Sequence, residues 1–140
     1  MNPHQHKVRE FMQSFGQDTP DCFLPQGYPS ELRTALIVEE CMEFGKAAEE
    51  YNFVEMIDAI CDILYVTYGA AVAMGIDIDP FFEEVHRSNM SKLDPVTKQP
   101  VRRADGKILK PPTYSPANIK SMLFKLHGEA VLVAADVFDE

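Results

Sequence analysis

The chain has 140 residues, of which 46% are hydrophobic, which is enough for one domain (residues 1–140) with a sizeable core. Its formal net charge of −9 and pI near 4.8 exclude a nucleic-acid polymer or an anionic membrane as the expected partner, because most of the surface would repel phosphate groups. The N-terminal residues lack a signal-peptide apolar run and the three cysteines lack CxxC spacing, so we expect a cytoplasmic protein with reduced thiols.

Two helices are predicted in the first third of the chain. Apolar residues at helical spacing predict the first over residues 3–15, ending at Gly16. Residues 16–29 contain three prolines, which exclude regular structure there. The second helix is predicted over residues 31–51, with Ser30 as its N-cap.

A third helix is predicted over residues 54–74, between a break at Asn52 and a stop at Gly75. Its segment from residue 57 onward has only two charged side chains, Asp58 and Asp62. It approaches the length of a membrane span, but the two aspartates make it a poor one. A helix that is apolar on nearly all sides is expected at the centre of a bundle or at a subunit interface.

The last two helices are predicted over residues 80–90, behind Asp79, and over residues 116–126, capped by Ser115. Gly128 is expected to release an acidic C-terminal tail. The predicted fold is therefore all-α: a helical bundle of about five helices with a four-helix core.

Residues 91–115 form a basic segment in an acidic protein. Asp105 and Gly106 predict a short hairpin or tight turn within it. Flexible bases of this kind neutralise phosphate oxygens, so the segment is a candidate polyphosphate contact, although an ordinary solvated loop is the alternative. Its bases are Lys92, Lys98, Arg102, Arg103, Lys107 and Lys110.

Acidic side chains occupy positions on the second helix that should be apolar. At about 100° per residue, Glu39 and Glu43 fall on the stripe of Leu36 and Ala47, with Glu40 one step round. Carboxylates brought together away from water raise one another's pKa or require a cation.

The third helix supplies the other half of this pattern. Asp58 and Asp62 are four residues apart and share one face. Antiparallel packing of the two helices would bring them opposite the three glutamates as a carboxylate cage. Oxygen ligands alone favour Mg²⁺, with Mn²⁺ as a substitute, over Zn²⁺.

Four motifs in this order resemble the MazG-like all-α NTP pyrophosphatases, nearest to the bacterial dUTP pyrophosphatases. They are EECME from residue 39, DAICDILYVTYGA from residue 58, EVHRSNMSKL from residue 84 and RRADGKILKP from residue 102, followed by Tyr114 and Pro116. The likeness covers about residues 8–126. It implies a helical bundle that dimerises around its active sites and binds Mg²⁺ through EExxE and ExxD motifs on successive helices.

One position departs from that pattern. Aligning DILYVTYG places Asp62 on the family's aspartate and Ala59 where its glutamate is expected. We interpret Asp58 as the replacement ligand, and Glu55 as the alternative because residues 55–58 also spell ExxD.

The resemblance implies hydrolysis of a nucleoside triphosphate, dUTP or a related dNTP, to the monophosphate and pyrophosphate by a homodimer or a dimer of dimers. The alternatives are a phosphoribosyl-ATP pyrophosphatase-like enzyme, or a catalytically weak nucleotide or metal sensor or interaction module. Glu40, or else Glu39, would activate the attacking water. The implied metal ligands are Glu39, Glu40, Glu43, Asp58 and Asp62. The substrate contacts are Asn89, Lys92, Arg102, Arg103, Lys107, Lys110 and Tyr114.

Overall fold

The computed structural model describes residues 1–133, which form five helices and one two-stranded antiparallel hairpin. This confirms the predicted all-α class with its short hairpin. The acidic end of the predicted tail, residues 134–140, lies outside the described residues. The elements are α1 (Pro3–Ser14), α2 (Ser30–Glu49), α3 (Phe53–Met74), α4 (Asp79–Met90), β1 (Val101–Arg102), β2 (Ile108–Leu109) and α5 (Ile119–Val133).

The described chain contains two compact units, the first built on Met1–Ile78 and the second on Asp79–Gly128. In the first unit, α1 and α2 both pack against α3. Their core consists of side chains from α1 and from the C-terminal part of α3, with Tyr28 and Tyr68 packed against it. The buried members are Val8, Met12, Val72 and Ala73.

Helices α2 and α3 form an antiparallel pair. The guanidinium of Arg33, near the start of α2, lies against Gly69 near the end of α3. Glu40, in the middle of α2, is electrostatically coupled to Asp62, in the middle of α3. The short break between the helices therefore reverses the chain direction, so that α3 packs antiparallel to α2, as the sequence predicted.

Local capping fixes both ends of α3. The Asn52 side chain accepts a hydrogen bond from the Glu55 amide at 3.3 Å, which is the expected N-cap contact. Gly75 ends the helix in the left-handed conformation, with φ at 73°. A Cβ at this position would lie 1.9 Å from the Cys22 carbonyl oxygen, so only glycine fits between the helix end and the 16–29 loop.

Two other predicted ends are wrong. Ser30 is the first residue of α2 and not its cap, because its amide already donates to the Tyr28 carbonyl at 2.8 Å and Pro29 occupies the cap position. Helix α2 stops at Glu49 because Tyr51 adopts a positive φ of 53°.

The start and the end of α5 also differ from the prediction. The helix begins at Ile119, behind Asn118, whose side chain accepts from the Ser121 amide at 2.9 Å. The predicted cap, Ser115, instead donates its amide to the Ser91 hydroxyl at 2.9 Å. Helix α5 continues past Gly128 to Val133 after a kink at His127, so the glycine does not end it.

The second unit is held by a clamp between α4 and the segment before α5. Glu84 accepts hydrogen bonds from Nε and Nη2 of Arg87, each at 2.8 Å, and from the Asn118 amide at 2.9 Å. Arg87 also donates to the Pro116 carbonyl at 3.2 Å. These contacts replace the helical turn that had been predicted from residue 116.

Much of α3 is exposed in the single chain. Ile57 and Leu64 are 63% and 52% exposed, so the helix is not the buried centre of a bundle within one chain. It is long and apolar enough to cross a membrane by length and composition, a test that core helices pass as well. The subunit-interface alternative for its apolar surface stays a prediction.

Candidate functional site

Glu40 is the acidic side chain of α2 that lies on the face packed against α3. It is half-buried, whereas Glu39 and Glu43 are exposed. Arg33 and Ala47, seven residues to either side and so on the same face, are both buried. The buried stripe therefore runs through Glu40. The sequence-based prediction that it runs through Glu39 and Glu43, with Glu40 one step round, is wrong.

The carboxylate of Glu40 is held in an unfavourable environment. Its Oε2 atom is buried and, within the described part of the chain, has no hydrogen-bond partner. Burial raises the pKa of Glu40, and the negative charges of four neighbouring carboxylates raise it further. These neighbours, in decreasing order of effect, are Glu43, Asp62, Glu39 and Asp58.

The five predicted acids are thus one electrostatic cluster, which we call the acidic cluster. Asp62 is half-buried and Asp58 is exposed on α3. Ala59, which stands where the resemblance expects a glutamate, is only 3% exposed. A buried alanine supplies no oxygen ligand, so the missing carboxylate is not replaced at that position.

The acidic cluster has the donor chemistry of a magnesium site. Carboxylate oxygens are the preferred protein ligands of Mg²⁺, and the unpartnered Oε2 of Glu40 is an oxygen that a cation would satisfy. Among residues 1–133, however, no three His, Cys, Asp or Glu side chains converge closely enough to form a ligand set. The carboxylates are therefore neighbours that repel one another rather than an assembled cage.

Arg33 is a site residue that the sequence reasoning missed. It is 6% exposed and lies on the same face of α2 as Glu40, two turns earlier. The available signal was an arginine seven positions before Glu40 and fourteen before Ala47, and so on one face of α2 with both.

The predicted phosphate-binding bases lie in the second unit, and two of them are engaged by the hairpin itself. Arg103 pairs with Asp105, which lowers the pKa of the aspartate and raises that of the arginine. Arg102 donates to the Gly106 carbonyl at 3.2 Å. Lys107 is exposed.

The other predicted substrate residues form two pairs in the same unit. The ammonium of Lys92 donates to the Asn89 side-chain oxygen at 2.9 Å. The Lys110 ammonium lies 4.6 Å from the centre of the Tyr114 ring, a cation–π contact. Lysines that hold such weak, exposed contacts can exchange them for a phosphate at little cost.

Residues 8–89 match the phosphoribosyl-ATP pyrophosphohydrolase family. The matched segment contains the whole acidic cluster and ends at Asn89, before the basic segment of residues 91–115.

The chain is also similar to an uncharacterized protein of Acanthamoeba polyphaga mimivirus. The two are 38% identical over 77 residues, which are 51% of this chain and 31% of the viral protein. The chain therefore spans about a third of the length of that relative.

Proposed function

Because the chain belongs to the phosphoribosyl-ATP pyrophosphohydrolase family, part of the MazG-like all-α NTP pyrophosphatase superfamily, we propose that it hydrolyses a nucleoside triphosphate to a monophosphate and pyrophosphate. The observation that carries the proposal is the acidic cluster around the half-buried Glu40. Water adds to one phosphorus of the α–β phosphoanhydride, and the bridging oxygen leaves with the other phosphorus.

Enzymes of this family are typically Mg²⁺-dependent. The residues that would hold the ion are Glu39, Glu40, Glu43, Asp58 and Asp62. When bound, Mg²⁺ neutralises phosphate oxygens and makes water easier to deprotonate. Binding would also relieve the repulsion among the five carboxylates, so we expect Mg²⁺ to raise the melting temperature of the protein.

Glu40 is the best candidate for orienting the attacking water and taking its proton. A general base works best when its pKa lies near the working pH, and burial shifts the pKa of Glu40 upward in that direction. Glu39 is the second candidate for this role, because it is exposed to solvent. Its charge raises the pKa of Glu40 less than the charges of Glu43 and Asp62 do.

The family match favours a phosphoribosyl-ATP-like substrate over dUTP. Both molecules contain the triphosphate whose α–β bond the reaction breaks, so the proposed chemistry is the same for either. We propose that Asn89, Lys92, Arg102, Arg103, Lys107, Lys110 and Tyr114 contact the substrate. Most of them lie beyond the family match. The support for them is the positive charge of the lysines and arginines, together with the contacts of Asn89 with Lys92 and of Tyr114 with Lys110.

We propose further that the protein is a homodimer. Support comes from the apolar surface of α3, where Val54, Ile57, Ile60 and Leu64 are 74%, 63%, 46% and 52% exposed. A surface of this size and composition on a helix is typical of a subunit interface.

Pyrophosphate release across a panel of substrates tests the proposal. The panel contains phosphoribosyl-ATP, dUTP, the other dNTPs and ATP, each with Mg²⁺, with Mn²⁺ and with EDTA. We expect metal-dependent release from at least one of them, and its loss in the Glu43→Gln and Asp62→Asn variants. Glu49→Gln, an exposed acid at the end of the same helix, is the matched control.

Hydrolysis that persists undiminished in both variants would overturn the mechanism. A second function, a nucleotide or metal sensor with weak catalysis, is favoured by Ala59, whose buried position lacks the expected carboxylate. Metal-dependent binding of a nucleotide by calorimetry, with no pyrophosphate released from any substrate, would establish that function instead.

A further inference from the structure

Arg33 is a buried cation that has no ionic partner among the described residues. Its residue is 6% exposed, and no carboxylate of the described residues forms a salt bridge with it. One end of the guanidinium, Nη2, donates to Gln17 Oε1 at 3.0 Å and lies 3.9 Å from Met12 Sδ. Its Nε atom is buried and has no acceptor in the described part of the chain. Burying a charge in this state is costly unless an anion compensates it.

The same arginine lines a cleft. The cleft has a volume of about 640 Å³ and lies between the 16–29 loop, the start of α2 and the end of α3. Its lining includes hydrogen-bonding groups from Gln17, Thr19 and Tyr28, and Asp18 is the one acidic residue that the described part of the chain contributes to it. The volume is large enough for a small organic ligand.

Two further features of the cleft favour a negative charge. No side chain of the described residues caps the N terminus of α2, and its cap residue Pro29 lines the cleft. Helix N termini attract anions through their amide groups. The positive charge of Arg33 also acts on the Tyr28 phenol, where it opposes the rise in pKa that burial causes, so the two side chains are close.

We propose that this cleft is an anion-binding subsite in which a phosphate group accepts hydrogen bonds from the Arg33 guanidinium. The subsite is separate from the acidic cluster, because Arg33 and Glu40 are seven positions apart on α2, which is about 10 Å of helix. Phosphate binding at this subsite can therefore be tested independently of the proposed hydrolysis. The phosphate comes either from inorganic phosphate or from a phosphorylated small molecule.

Arginine Nε–H signals in nitrogen-15 NMR spectra give a direct readout of the subsite. The full chain is titrated in EDTA with inorganic phosphate, ribose 5-phosphate or, as the uncharged control, ribose, at constant ionic strength. We expect the Arg33 Nε–H signal to shift with both phosphates and not with ribose, and the melting temperature to rise in parallel. Tighter binding of ribose 5-phosphate would identify an organic phosphate as the ligand, and equal binding would identify free phosphate.

Three variants make the test specific. Arg33→Met removes the charge and should weaken phosphate binding about tenfold or more. Gln17→Glu keeps the shape but supplies a carboxylate beside the guanidinium, so it should abolish phosphate binding and raise the melting temperature of the ligand-free protein. Lys7→Gln removes one positive charge from an exposed position on α1 and should leave binding unchanged.

The Gln17→Glu variant keeps the proposal testable if Arg33→Met does not fold. No phosphate-dependent change in the Arg33 signal of the unmodified protein would overturn the proposal. Phosphate binding that survives both Arg33→Met and Gln17→Glu would also overturn it, since the anion would then bind elsewhere.

Discussion

In the absence of a cation, the surroundings of Glu40 disfavour the charged form of its carboxyl group. Its pKa is raised above the ordinary value, first by burial and then by Glu43, Asp62, Glu39 and Asp58. The folded protein therefore binds this proton more tightly than the unfolded chain does. The free energy of unfolding of the metal-free protein should fall as the pH rises from the unfolded pKa of about 4.5 through the raised folded pKa.

Replacing Glu40 with glutamine should remove that fall. We expect Glu40→Gln to melt at a higher temperature than the unmodified protein in EDTA at neutral pH, and the difference to vanish at pH values below the unfolded pKa. Thermal unfolding measured across this pH range is the test, with Glu49→Gln as the exposed control on the same helix. Equal melting temperatures for Glu40→Gln and the control at neutral pH would contradict the inferred repulsion.

The same substitution should have the opposite effect on activity. If Glu40 takes the proton of the attacking water, Glu40→Gln should lower kcat by a factor of about 10² to 10⁴ in the presence of Mg²⁺. Steady-state pyrophosphate release at saturating substrate measures this. A normal kcat with a raised metal requirement would show instead that Glu40 is a metal ligand only.

Individual residues show where sequence reasoning reached its limit. The five acids were predicted to lie together, and the raised pKa of Glu40 depends on all of the other four. The buried stripe of α2 was predicted to contain Glu39 and Glu43, but it contains Glu40. The prediction failed because α2 has apolar residues on more than one face. Leu32, Val38 and Met42 are 53%, 49% and 70% exposed, so periodicity alone did not identify the buried stripe.

At the scale of elements, Glu84 joins α4 to the start of α5. Its hydrogen bonds with Arg87 and the Asn118 amide lower its pKa from 4.5 to about 2. A depressed folded pKa means that this contribution to stability is present above pH 4.5 and is lost as the pH falls toward 2.

We expect Glu84→Gln to weaken this clamp at neutral pH. The amide hydrogen of Asn118 should then exchange faster with solvent, and the loss of protection that acid causes in the unmodified protein should be absent from the variant. Hydrogen exchange followed by NMR at several pH values measures both effects. Glu83→Gln, at the exposed neighbouring position, should change neither, and an equal effect in the two variants would argue against the clamp.

Helix ends were predictable where a cap acts locally. Asn52 and Gly75 bound α3 through contacts within a few residues or through backbone conformation, and both were predicted. The start of α5 was not predictable, because Ser115 and Pro116 are held by Ser91 and Arg87, more than twenty residues earlier in the chain. The local sequence around Ser115 is typical of an N-cap and does not indicate that its amide binds the distant Ser91.

At the scale of the whole molecule, α3 exposes an apolar face to solvent that a partner would bury. Ile57 and Leu64 lie roughly opposite the buried Ala59 on α3, and Ile60 lies about 100° round the helix from it. A second copy of the chain would bury these side chains, whereas a bilayer would also have to accommodate Asp58 and Asp62 on the same helix. The antiparallel packing of α3 against α2 could be predicted from the sequence, but the exposure of its other face could not, because periodicity does not separate contacts within a chain from contacts between chains.

The proposed dimer interface predicts a specific response to charge. A double variant, Ile57→Glu with Leu64→Glu, should sediment as a monomer because both glutamates would be buried between subunits without partners. Val96→Glu, at a position that is 88% exposed in the second unit, should leave the protein dimeric. Analytical ultracentrifugation over a range of concentrations, without and with a mild detergent, measures the mass. A monomeric unmodified protein would refute the interface, and detergent-dependent solubility would point to a membrane in place of the second subunit.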